Sequence, residues 1–576
     1  MDTRLYRHLS HTGLRAIALV LAVAVAVTAM PPHPDIVNAI AAGKLAPSYY
    51  LLNRADLHNR GVCTPDSFFK SIRTPRTASQ SPTAGPFRIL AVLVKYSDKN
   101  SSVASTFFDS LVFDSIGTSV RDYFSEISYA QIDLVTLNLP STIGWRTAPQ
   151  TYAYYVNGEN GLGTYPYNCQ KMVEDIVDQI DPLVNFSLYD NDGDNYVDVL
   201  LVIHAGTGAE RTGSPDDIWS HKWGINPRLK DGVYISTYTT QPEYWSAPGD
   251  MTIGVYAHEL GHGFGLPDLY DTDNSSRGLG RWCLMAYGGW NGTNGATPAH
   301  PSAWCRIRMG FAASTNVTGI LLNQAIPNVE EGGPIYRLWT SGATNPEYFL
   351  VENRQKVGYD IGLPGSGLLV WHIDDDKGVL QNPNDQEWYP GLPVANHPLV
   401  ALEQADGFYE LEHSVDAGDA GDAYPGSSSN TAFNDASTPT ANSYESGATS
   451  VQVVNISSSS SIMHADIFVT LTAGTEDPDT PTLPNGPQLG QNYPNPFNPS
   501  TTIRFTTPTE GPVKLEVYNV IGQKVRTLVD GTLPWGQTEV VWDARDDNGR
   551  AVAAGIYLYR LTVGDQVQSR KMVLLK

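Results

Sequence analysis

The sequence predicts an α/β (α+β) domain, then a β-rich domain, and finally a C-terminal β-sandwich. Between about 87 and 315, apolar runs typical of buried strands alternate with helical patterns. From 316 to 472, short alternating strands are separated by loops rich in Gly, Asn, Ser and Asp. After a Pro-rich, acidic linker at 473–486, the range 487–576 consists of strands and turns, as in a small sandwich.

Residues 1–29 have the layout of a secretory signal peptide. Arg4, Arg7 and Arg15 precede an apolar run that is short for a membrane span and ends in the small residues "VTA". No later segment of the sequence is long and apolar enough to cross a bilayer, so we expect a secreted or cell-surface protein without a transmembrane segment in its mature chain. Residues 30–86, rich in Pro, Ser and Thr, are predicted to be a propeptide or N-terminal arm.

The composition excludes some classes of partner. Sixty acidic residues against 37 basic ones give a formal net charge of −23, which disfavours nucleic acid and anionic membranes as partners. The chain has only four cysteines, so it is not a disulfide scaffold. The pairs that could form are Cys283 with Cys305 and Cys63 with Cys169.

Individual elements can be assigned within each domain. In the α/β domain, "FRILAVLVKYSD" predicts a buried strand, "SVRDYFSEISYAQIDL" a helix running into a strand, and "CQKMVEDIVDQI" a second helix. "YVDVLLVIHAG" predicts a strand that is covered on both faces. In the β-rich domain, "EYFLVENRQ" and "GLLVWHID" are predicted strands. In the last domain, "DDNG" indicates a hairpin turn between two strands.

A metal site is indicated by "TIGVYAHELGHGFGLPDLYDTDN", residues 252–274. Asp250 is placed to cap a helix that begins just after it, on which His258 and His262 lie one turn apart and can reach one ion. Glu259 lies beside them, where a glutamate can bind a zinc-held water without ligating the metal. The alternative is a chance arrangement of core histidines that are satisfied by hydrogen bonds.

The third ligand is expected to be Asp268. No glutamate occurs between Glu259 and Glu330, which disfavours the arrangement of thermolysin-type peptidases, where a later helix supplies one. Gly265 can take the left-handed turn that ends the helix, and Asp268 then occupies the returning position. The string H-E-x-x-H-x-x-G-x-x-D is the metzincin pattern with Asp in place of the third His. Asp271 is the alternative ligand.

The downstream segment "WCLMAYGGW" adds two residues to the predicted site. Met285 is expected to form a methionine turn beneath the zinc; the alternative is an ordinary buried methionine. Tyr287, two residues later, stands where astacins and serralysins carry a tyrosine that binds the oxyanion.

From about Phe87 to Thr472 the chain resembles the immune inhibitor A family of secreted bacterial metallopeptidases. The resemblance rests on "AHELGHGFGLPDLYD", with "RDYFSEISY", "YDNDGDNYVD", "IHAG" and "DDIWSHKW" upstream and "EYFLVENRQ" downstream. It implies a zinc endopeptidase of metzincin-like fold that acts on extracellular proteins and peptides. The zinc ligands and catalytic base that it implies are His258, His262, Asp268 and Glu259. An alternative from another class is a catalytically inactive, calcium-stabilised surface adhesin on the same fold.

A calcium loop is predicted at "YDNDGDNYVD", where carboxylates alternate along the chain at a spacing that suits a hard cation. Position twelve of an EF-hand would be Leu201 rather than Glu, so the spacing is dockerin-like instead. The predicted ligands are Asp190, Asp192, Asp194, the carbonyl of Tyr196, and Asp198. The alternative is a solvated acidic turn. A second acidic cluster could bind another ion or could simply form a polar loop, and the sequence does not favour either. Its members are Glu403, Asp406, Asp416, Asp419 and Asp422.

Cys63, in "NRGVCTPD", precedes the α/β domain. A propeptide thiolate at the open position of zinc would keep the enzyme latent, as in the cysteine switch of matrix metallopeptidases, although the residue order differs here. A disulfide to Cys169 and an incidental thiol are the alternatives.

The range 487–576 resembles the type A sorting domain of type IX secretion, which has Ig-like relatives. The resemblance rests on "LGQNYPNPFNPSTTIRF" and "GIYLYRLTVGDQVQSRKMVLLK". It implies a Gram-negative cell, passage through the type IX secretion machinery of the outer membrane, and removal of the domain or its use in surface attachment. The alternative is a binding sandwich that the mature protein retains.

Overall fold

The computed structural model describes residues 29–63, 85–272, 275–378, 384–445, 447–470, 487–490, 492, 494–507, 511–533, 536–564 and 566–575. The signal peptide predicted at 1–29 lies outside them except for its last residue, and so does the predicted linker at 473–486. Residues up to Val469 belong to one compact unit and those from Thr470 to a second. Among the described helices, none has both the length and the apolar character needed to span a membrane.

A five-stranded mixed sheet forms the centre of the first unit. The first seven strands of the chain are β1 Gly85–Arg88, β2 Leu90–Lys95, β3 Ile132–Val135, β4 Arg146–Thr147, β5 Leu200–His204, β6 His221–Lys230 and β7 Val233–Pro242. The sheet has the order β4-β2-β5-β7-β6, in which only β6 runs antiparallel to its neighbour. β2 and β5 bury successive apolar residues on both faces, as their continuous apolar runs predict.

Eleven α-helices are described, all in the first unit. They are α1 Pro34–Ala41, α2 Tyr49–Leu52, α3 Arg54–Asn59, α4 Ser105–Phe113, α5 Val120–Ile127, α6 Pro140–Ile143, α7 Tyr152–Val156, α8 Cys169–Ile180, α9 Ala209–Thr212, α10 Gly254–Gly263 and α11 Ala303–Met309. Side-chain caps explain two of the starts: the Ser119 hydroxyl accepts from the Asp122 amide at α5, and the Asn168 amide oxygen from the Lys171 amide at α8. Both helices lie where the sequence predicts them.

The β-rich part of the first unit contains two sheets. Its strands are β8 Ser314–Asn316, β9 Leu321–Pro327, β10 Ile335–Leu338, β11 Glu347–Arg354, β12 Gly367–Asp374, β13 Val400–Leu402, β14 Gln452–Val454 and β15 Ile462–Phe468. The sheet orders are β13-β12-β11-β10-β8 and β14-β15-β9. One continuous cluster of buried apolar side chains joins β2 and α10 to β11 and β12. The β-rich part therefore shares its core with the α/β part.

Buried charges also connect the two parts. The Arg354 guanidinium of β11 donates from Nε and Nη2 to the Asp360 carboxylate, at 2.8 and 2.7 Å. On α11, the Arg306 guanidinium donates to the Glu352 carboxylate. His300 Nε2 lies 2.8 Å from Glu126 Oε1 on α5. The Arg306–Glu352 contact holds β11 against α11, and the Tyr359 amide, which donates to Glu126 Oε1 at 2.9 Å, joins the segment after β11 to α5.

The second unit is a β-sandwich with its own core around Trp542 and Tyr559. Its strands are β16 Gln488–Leu489, β17 Thr501–Thr507, β18 Gly511–Asn519, β19 Lys524–Leu533, β20 Gly536–Trp542, β21 Gly555–Val563 and β22 Gln566–Leu574. They form two antiparallel sheets, β16-β17-β20 and β19-β18-β21-β22. The turn predicted at "DDNG" is present: the Asp546 carboxylate accepts from the amides of Asn548 and Arg550, and Arg545 and Ala551 form an antiparallel bridge across it. The strands on either side, β20 and β21, lie in different sheets, so they do not form the predicted hairpin.

Neither predicted disulfide is formed: all four cysteines are free and buried. Cys283 and Cys305 are close enough for a hydrogen bond between their thiols. Cys169 packs its Sγ against Gly161. The core is therefore held by packing and by buried polar contacts, without covalent cross-links.

Candidate metal centre

Helix α10 carries the two histidines of the predicted site and is buried along its length. It begins at Gly254, later than predicted, and the residue before it makes no side-chain cap bond. Asp250 does not cap it, contrary to the prediction, because its carboxylate accepts from the amides of Trp245, Ser246 and Ala247 at 2.7–2.9 Å. Asp250 thus closes the preceding turn.

The chain reverses after α10 and brings Asp268 onto the histidines. Gly265 has φ +87°, the left-handed conformation that a side chain disfavours. Asp268 Oδ1 lies 2.9 Å from His258 Nε2, and its Oδ2 lies 3.3 Å from His262 Nε2. All three side chains are buried. The structure therefore brings together the three residues that the sequence predicts as zinc ligands.

The imidazoles present their Nε2 atoms to this centre because their Nδ1 atoms are engaged elsewhere. His258 Nδ1 lies 3.0 Å from the Leu284 carbonyl and His262 Nδ1 2.9 Å from the Leu266 carbonyl. A carbonyl only accepts, so each Nδ1 carries a hydrogen, and each Nε2 offers a lone pair when its imidazole is neutral. Within the described residues, both Nε2 atoms and both Asp268 oxygens lack a hydrogen-bond partner outside this group of three.

These orphaned atoms fit a metal ion. Buried polar atoms without partners are costly, and a cation would satisfy all four at once. Two imidazole nitrogens and a carboxylate oxygen are donors that zinc accepts, with a fourth position left over. Burial lowers the pKa of His258, but the Asp268 carboxylate outweighs it and raises the pKa to about 9, so a bound metal would replace the proton on His258 Nε2. Burial lowers the pKa of His262 to about 4.

Glu259 lies at the edge of the centre and outside the ligand set. Its Oε1 accepts from the Met30 amide at 3.1 Å, whereas Oε2 has no hydrogen-bond partner in the described part of the chain. Burial raises the pKa of Glu259 to about 8, with a further contribution from the Asp268 charge that the neighbouring His258 offsets in part. A carboxylate so placed is suited to exchanging protons near neutral pH.

Met285 lies directly beneath α10, as the predicted methionine turn requires. A Cβ added to Gly261, between the two histidines, would be 2.5 Å from Met285 Sδ. The Met285 carbonyl also accepts from the Leu269 amide at 2.7 Å, which ties the returning loop to this turn. Asp271, the alternative ligand, instead accepts from the Ser276 amide at 2.6 Å and the Ser275 hydroxyl at 2.8 Å.

Two tyrosines follow one another outwards from the centre: Tyr270 lies beside His258, and Tyr287 lies beside Tyr270. Tyr287 is buried in a 3-10 helix, Tyr287–Trp290, and its ring centroid lies 6.1 Å from that of Tyr270. Tyr270 was not predicted from the sequence, although it follows Asp268 by two residues. Its ring centroid lies 6.5 Å from that of His258, and its hydroxyl donates to the Ala29 carbonyl. Tyr270 therefore belongs to the immediate surroundings of the histidines.

Residues 110–311 match the family model described as "Immune inhibitor A peptidase M6, catalytic domain". This M6 region runs from within α4 to the end of α11 and contains the whole candidate metal centre. The matched range is shorter than the range from about Phe87 to Thr472 over which the sequence resembles this family. A second model, described as "FlgD Ig-like domain", matches residues 497–566 of the sandwich.

Curated relatives of the M6 region include two peptidases. "Pre-pro-metalloprotease PrtV" of Vibrio cholerae serotype O1 is 32% identical over 195 residues, which cover 28% of this chain and 21% of that protein. "Immune inhibitor A" of Bacillus thuringiensis subsp. alesti is 39% identical over 140 residues, or 22% of this chain and 20% of the relative. The chain thus spans about a fifth of the length of the curated relatives it matches.

Among solved structures, dimeric latent PorU from Porphyromonas gingivalis is 21% identical and covers 22% of this chain and 12% of its own. Its TM-score is 0.15, which supports no structural inference.

The predicted calcium loop also lies within the M6 region. Carboxylate oxygens of Asp190, Asp192 and Asp194 lie within 4.8 Å of one another. Asp190 also accepts from the amides of Gly193 and Asn195, at 2.8 and 2.9 Å. Of the other predicted ligands, Asp198 engages its Oδ2 outside that group by accepting from the Asn191 amide at 2.6 Å. Tyr196, whose carbonyl is the predicted ligand, packs its ring 5.4 Å from that of Tyr234. In the β-rich part, Asp406, Asp419 and Asp422 form a similar group.

Proposed function

We propose that the chain is a secreted zinc-dependent endopeptidase that hydrolyses peptide bonds of extracellular proteins. The observation that carries the proposal is the buried set of His258, His262 and Asp268, whose four inward-facing polar atoms have no hydrogen-bond partner beyond one another within the described residues. The match to the M6 catalytic-domain model and the similarity to PrtV and to immune inhibitor A support a metallopeptidase function.

His258, His262 and Asp268 would hold zinc, which when bound polarises a scissile carbonyl and lowers the pKa of a water. Glu259 then takes the proton of the attacking water on Oε2 and later delivers it to the departing amine, serving first as base and then as acid. The Tyr287 hydroxyl would donate to the oxyanion that develops. Met285 and the two Nδ1–carbonyl contacts keep the ligand atoms in place through this sequence.

Further proposals concern the calcium loop and the sandwich. Asp190, Asp192 and Asp194 would bind Ca²⁺ as the first ligands, with Tyr196 and Asp198 completing the loop. The sandwich would address the exported chain to the type IX secretion machinery of a Gram-negative outer membrane. The match to an Ig-like domain agrees with a β-sandwich of that kind.

The test of the peptidase proposal compares the processed wild-type protein with a Glu259→Gln variant. We expect one zinc per chain in both by elemental mass spectrometry, and a gelatin zymogram band only for the wild type. Phenanthroline should remove that band. A protein that binds calcium, contains no zinc and leaves gelatin uncut would contradict the proposal and favour the adhesin alternative. Zinc-bound Glu259→Gln that still cuts gelatin would exclude the assigned base.

A further inference from the structure

Residues 277–282 lie between the loop that returns from α10 and the β-rich part of the chain. On one side, the Leu279 amide donates to the Leu269 carbonyl of the returning loop at 2.9 Å. On the other side, the Arg281 amide donates to the Ala417 carbonyl of the β-rich part at 2.7 Å. The segment is therefore fixed to the surroundings of the metal centre and to the β-rich part at once.

Arg277, at the start of this segment, has its backbone held by the β-rich part. Its amide donates to the Leu411 carbonyl at 2.8 Å, and its carbonyl accepts from the Gly280 amide at 2.9 Å. The adjacent Gly278 has φ +53°, and a Cβ at this position would lie 2.3 Å from the Leu269 carbonyl oxygen. The Arg277 side chain thus starts from a backbone that is confined on both sides.

The Arg277 side chain lies beside Tyr287, the residue proposed to donate to the oxyanion. The central carbon of the guanidinium is 5.8 Å from the centroid of the Tyr287 ring. The guanidinium also donates a hydrogen bond to the phenol oxygen. Burial raises the pKa of Tyr287, and the charge and the hydrogen bond of Arg277 oppose that rise. The guanidinium therefore acts on a tyrosine that packs against Tyr270, the neighbour of His258.

A guanidinium can direct the proton of a phenol because it donates hydrogen bonds and accepts none. The phenol has one O–H donor and an oxygen that accepts. When that oxygen accepts from Arg277, the O–H of Tyr287 has to point away from the guanidinium, towards a group that accepts. The positive charge also makes the phenol a stronger donor, because it stabilises the negative charge that builds up on the oxygen as the proton is shared. Both effects suit a hydroxyl that donates to an oxyanion.

We propose that Arg277 is a positioning residue of the peptidase, which orients the Tyr287 hydroxyl towards the oxyanion and strengthens its hydrogen bond. The inference rests on the proposed function and adds a residue to it. It also gives the β-rich part a role in the reaction, because the Leu411 carbonyl of that part holds the Arg277 backbone. Arg277 acts through Tyr287 and does not touch the scissile bond.

A double-mutant cycle between Arg277 and Tyr287 tests the proposal. The processed, zinc-loaded protein is compared with Arg277→Met, Tyr287→Phe and the double variant, on a quenched fluorescent peptide that contains a casein bond cut by the wild type. Arg281→Met is the matched control, because this guanidinium lies on the same segment but donates to the Asn291 side chain and to the Gly362 carbonyl. Zinc content and thermal midpoint are measured for each protein.

We expect Tyr287→Phe to lower kcat by about 100-fold, as the loss of one oxyanion donor does. Arg277→Met should lower kcat by about tenfold, because the Tyr287 donor remains but is no longer charge-assisted. KM and zinc content should change little in either variant. Arg277→Met should cause no further loss in the Tyr287→Phe background, and Arg277→Lys, which keeps the charge, should recover part of kcat. Arg281→Met should keep the wild-type kcat.

Two results would overturn the inference through the cycle itself. Losses that multiply in the double variant would mean that Arg277 acts independently of Tyr287, and an equal loss in Arg281→Met would mean that the segment has only to be folded. A zinc-loaded wild type that cuts the peptide no faster than Tyr287→Phe also overturns the inference, but leaves the zinc ligands and Glu259 in place. A wild type that binds no zinc or cuts no peptide overturns the proposed function itself.

A second measurement does not depend on turnover. A phosphinic peptide of the same sequence carries tetrahedral oxygens in place of the oxyanion, and its Kd for each zinc-loaded variant is measured by calorimetry. Arg277→Met should raise that Kd by the factor by which it lowers kcat, and the increase should vanish in the Tyr287→Phe background. Arg277→Gln is measured beside it in case methionine prevents folding. A Kd that stays at the wild-type value in the folded Arg277 variants contradicts the proposal.

Discussion

At the scale of single residues, the contact between Gly261 and Met285 offers a sharp test of packing at the metal centre. Gly261→Ala would place a Cβ 2.5 Å from Met285 Sδ, whereas Gly263→Ala on the same helix would meet only Val199 Cγ2, at 3.6 Å. We expect Gly261→Ala to destabilise the protein by about 1–3 kcal/mol through overpacking. Gly263→Ala should be neutral or stabilising by up to about 1 kcal/mol, because alanine is the better helix former.

Urea unfolding followed by circular dichroism measures both changes. An equal change in stability for the two variants would show that the contact with Met285 does not govern the response at Gly261.

The choice between two aspartates is a second test at this scale. Asp268→Ala should abolish stoichiometric zinc binding, because its carboxylate is the one that faces both Nε2 atoms. Asp271→Ala is the matched control and should retain zinc, since Asp271 accepts from Ser275 and Ser276 instead. Elemental mass spectrometry of the two purified variants measures their zinc content and so shows which aspartate is the ligand. Retention of zinc by Asp268→Ala together with its loss from Asp271→Ala would reverse the assignment.

The sequence predicts residues of the site best where local geometry places them. Asp268 follows from one helix and one turn at Gly265, so its spacing from the histidines was sufficient to find it. Tyr270 and Met30 reach the centre through contacts that span 241 and 229 residues, between Tyr270 and Ala29 and between Met30 and Glu259. The spacing of residues along the chain gives no signal for contacts between such distant residues. Neither Tyr270 nor Met30 was therefore predicted to lie at the site.

At the scale of elements, the Arg354–Asp360 ion pair joins β11 to the rest of the core. Burial alone would raise the pKa of Asp360, but the Arg354 guanidinium lowers it to about 2 from its usual 3.8. The pKa is lower in the folded state, so the pair stabilises the protein above about pH 3.8 and this contribution is lost as the pH falls towards 2.

Asp360→Asn should therefore cost about 3 kcal/mol at pH 7, because it removes one partner of a buried pair. The difference from wild type should shrink as the pH falls from about 3.8 towards 2, because Asp360 takes up a proton first in the unfolded chain and then in the folded one. Urea unfolding at a series of pH values measures this. A difference that stays constant down to pH 3 would show that the charge of Asp360 has no part in the effect.

The proposed calcium loop predicts a chelator effect on the α/β part. Addition of EGTA should lower the thermal midpoint of the wild-type protein, and Ca²⁺ should restore it. Asp192→Ala should have a lower midpoint that EGTA no longer changes. The exposed Asp114→Ala is the control and should respond to EGTA as wild type does. An identical midpoint with Ca²⁺ and with EGTA would leave the loop as a solvated acidic turn.

Prediction of elements from sequence succeeded or failed for identifiable reasons. Helix α8 was predicted with the correct bounds because the Asn168 cap and the apolar face agree locally. Helix α10 begins later than predicted because the same Asp250 carboxylate can cap either a helix or a turn, and three amides from Trp245 to Ala247 compete for it. The "DDNG" turn was recognised, but which strands pair across a sandwich depends on distant partners.

At the scale of the whole molecule, the two compact units have separate hydrophobic cores. We therefore expect a chain ending at Thr470 to fold, bind one zinc and unfold at the same temperature as the corresponding transition of the full chain. Differential scanning calorimetry and elemental mass spectrometry measure these quantities. A chain truncated at Met309 is the comparison and should fail to fold, because the core of the M6 region continues into β11 and β12. Stable folding of that shorter chain would contradict a shared core.

The hydrogen bond from the Met30 amide to Glu259 Oε1 ties the first described residues of the chain to a carboxylate of the candidate metal centre. The neighbouring Ala29 carbonyl is held by the Tyr270 hydroxyl. A mature protein that begins after Met30 would lose both contacts, and Glu259 would then have to be solvated by water or by a substrate.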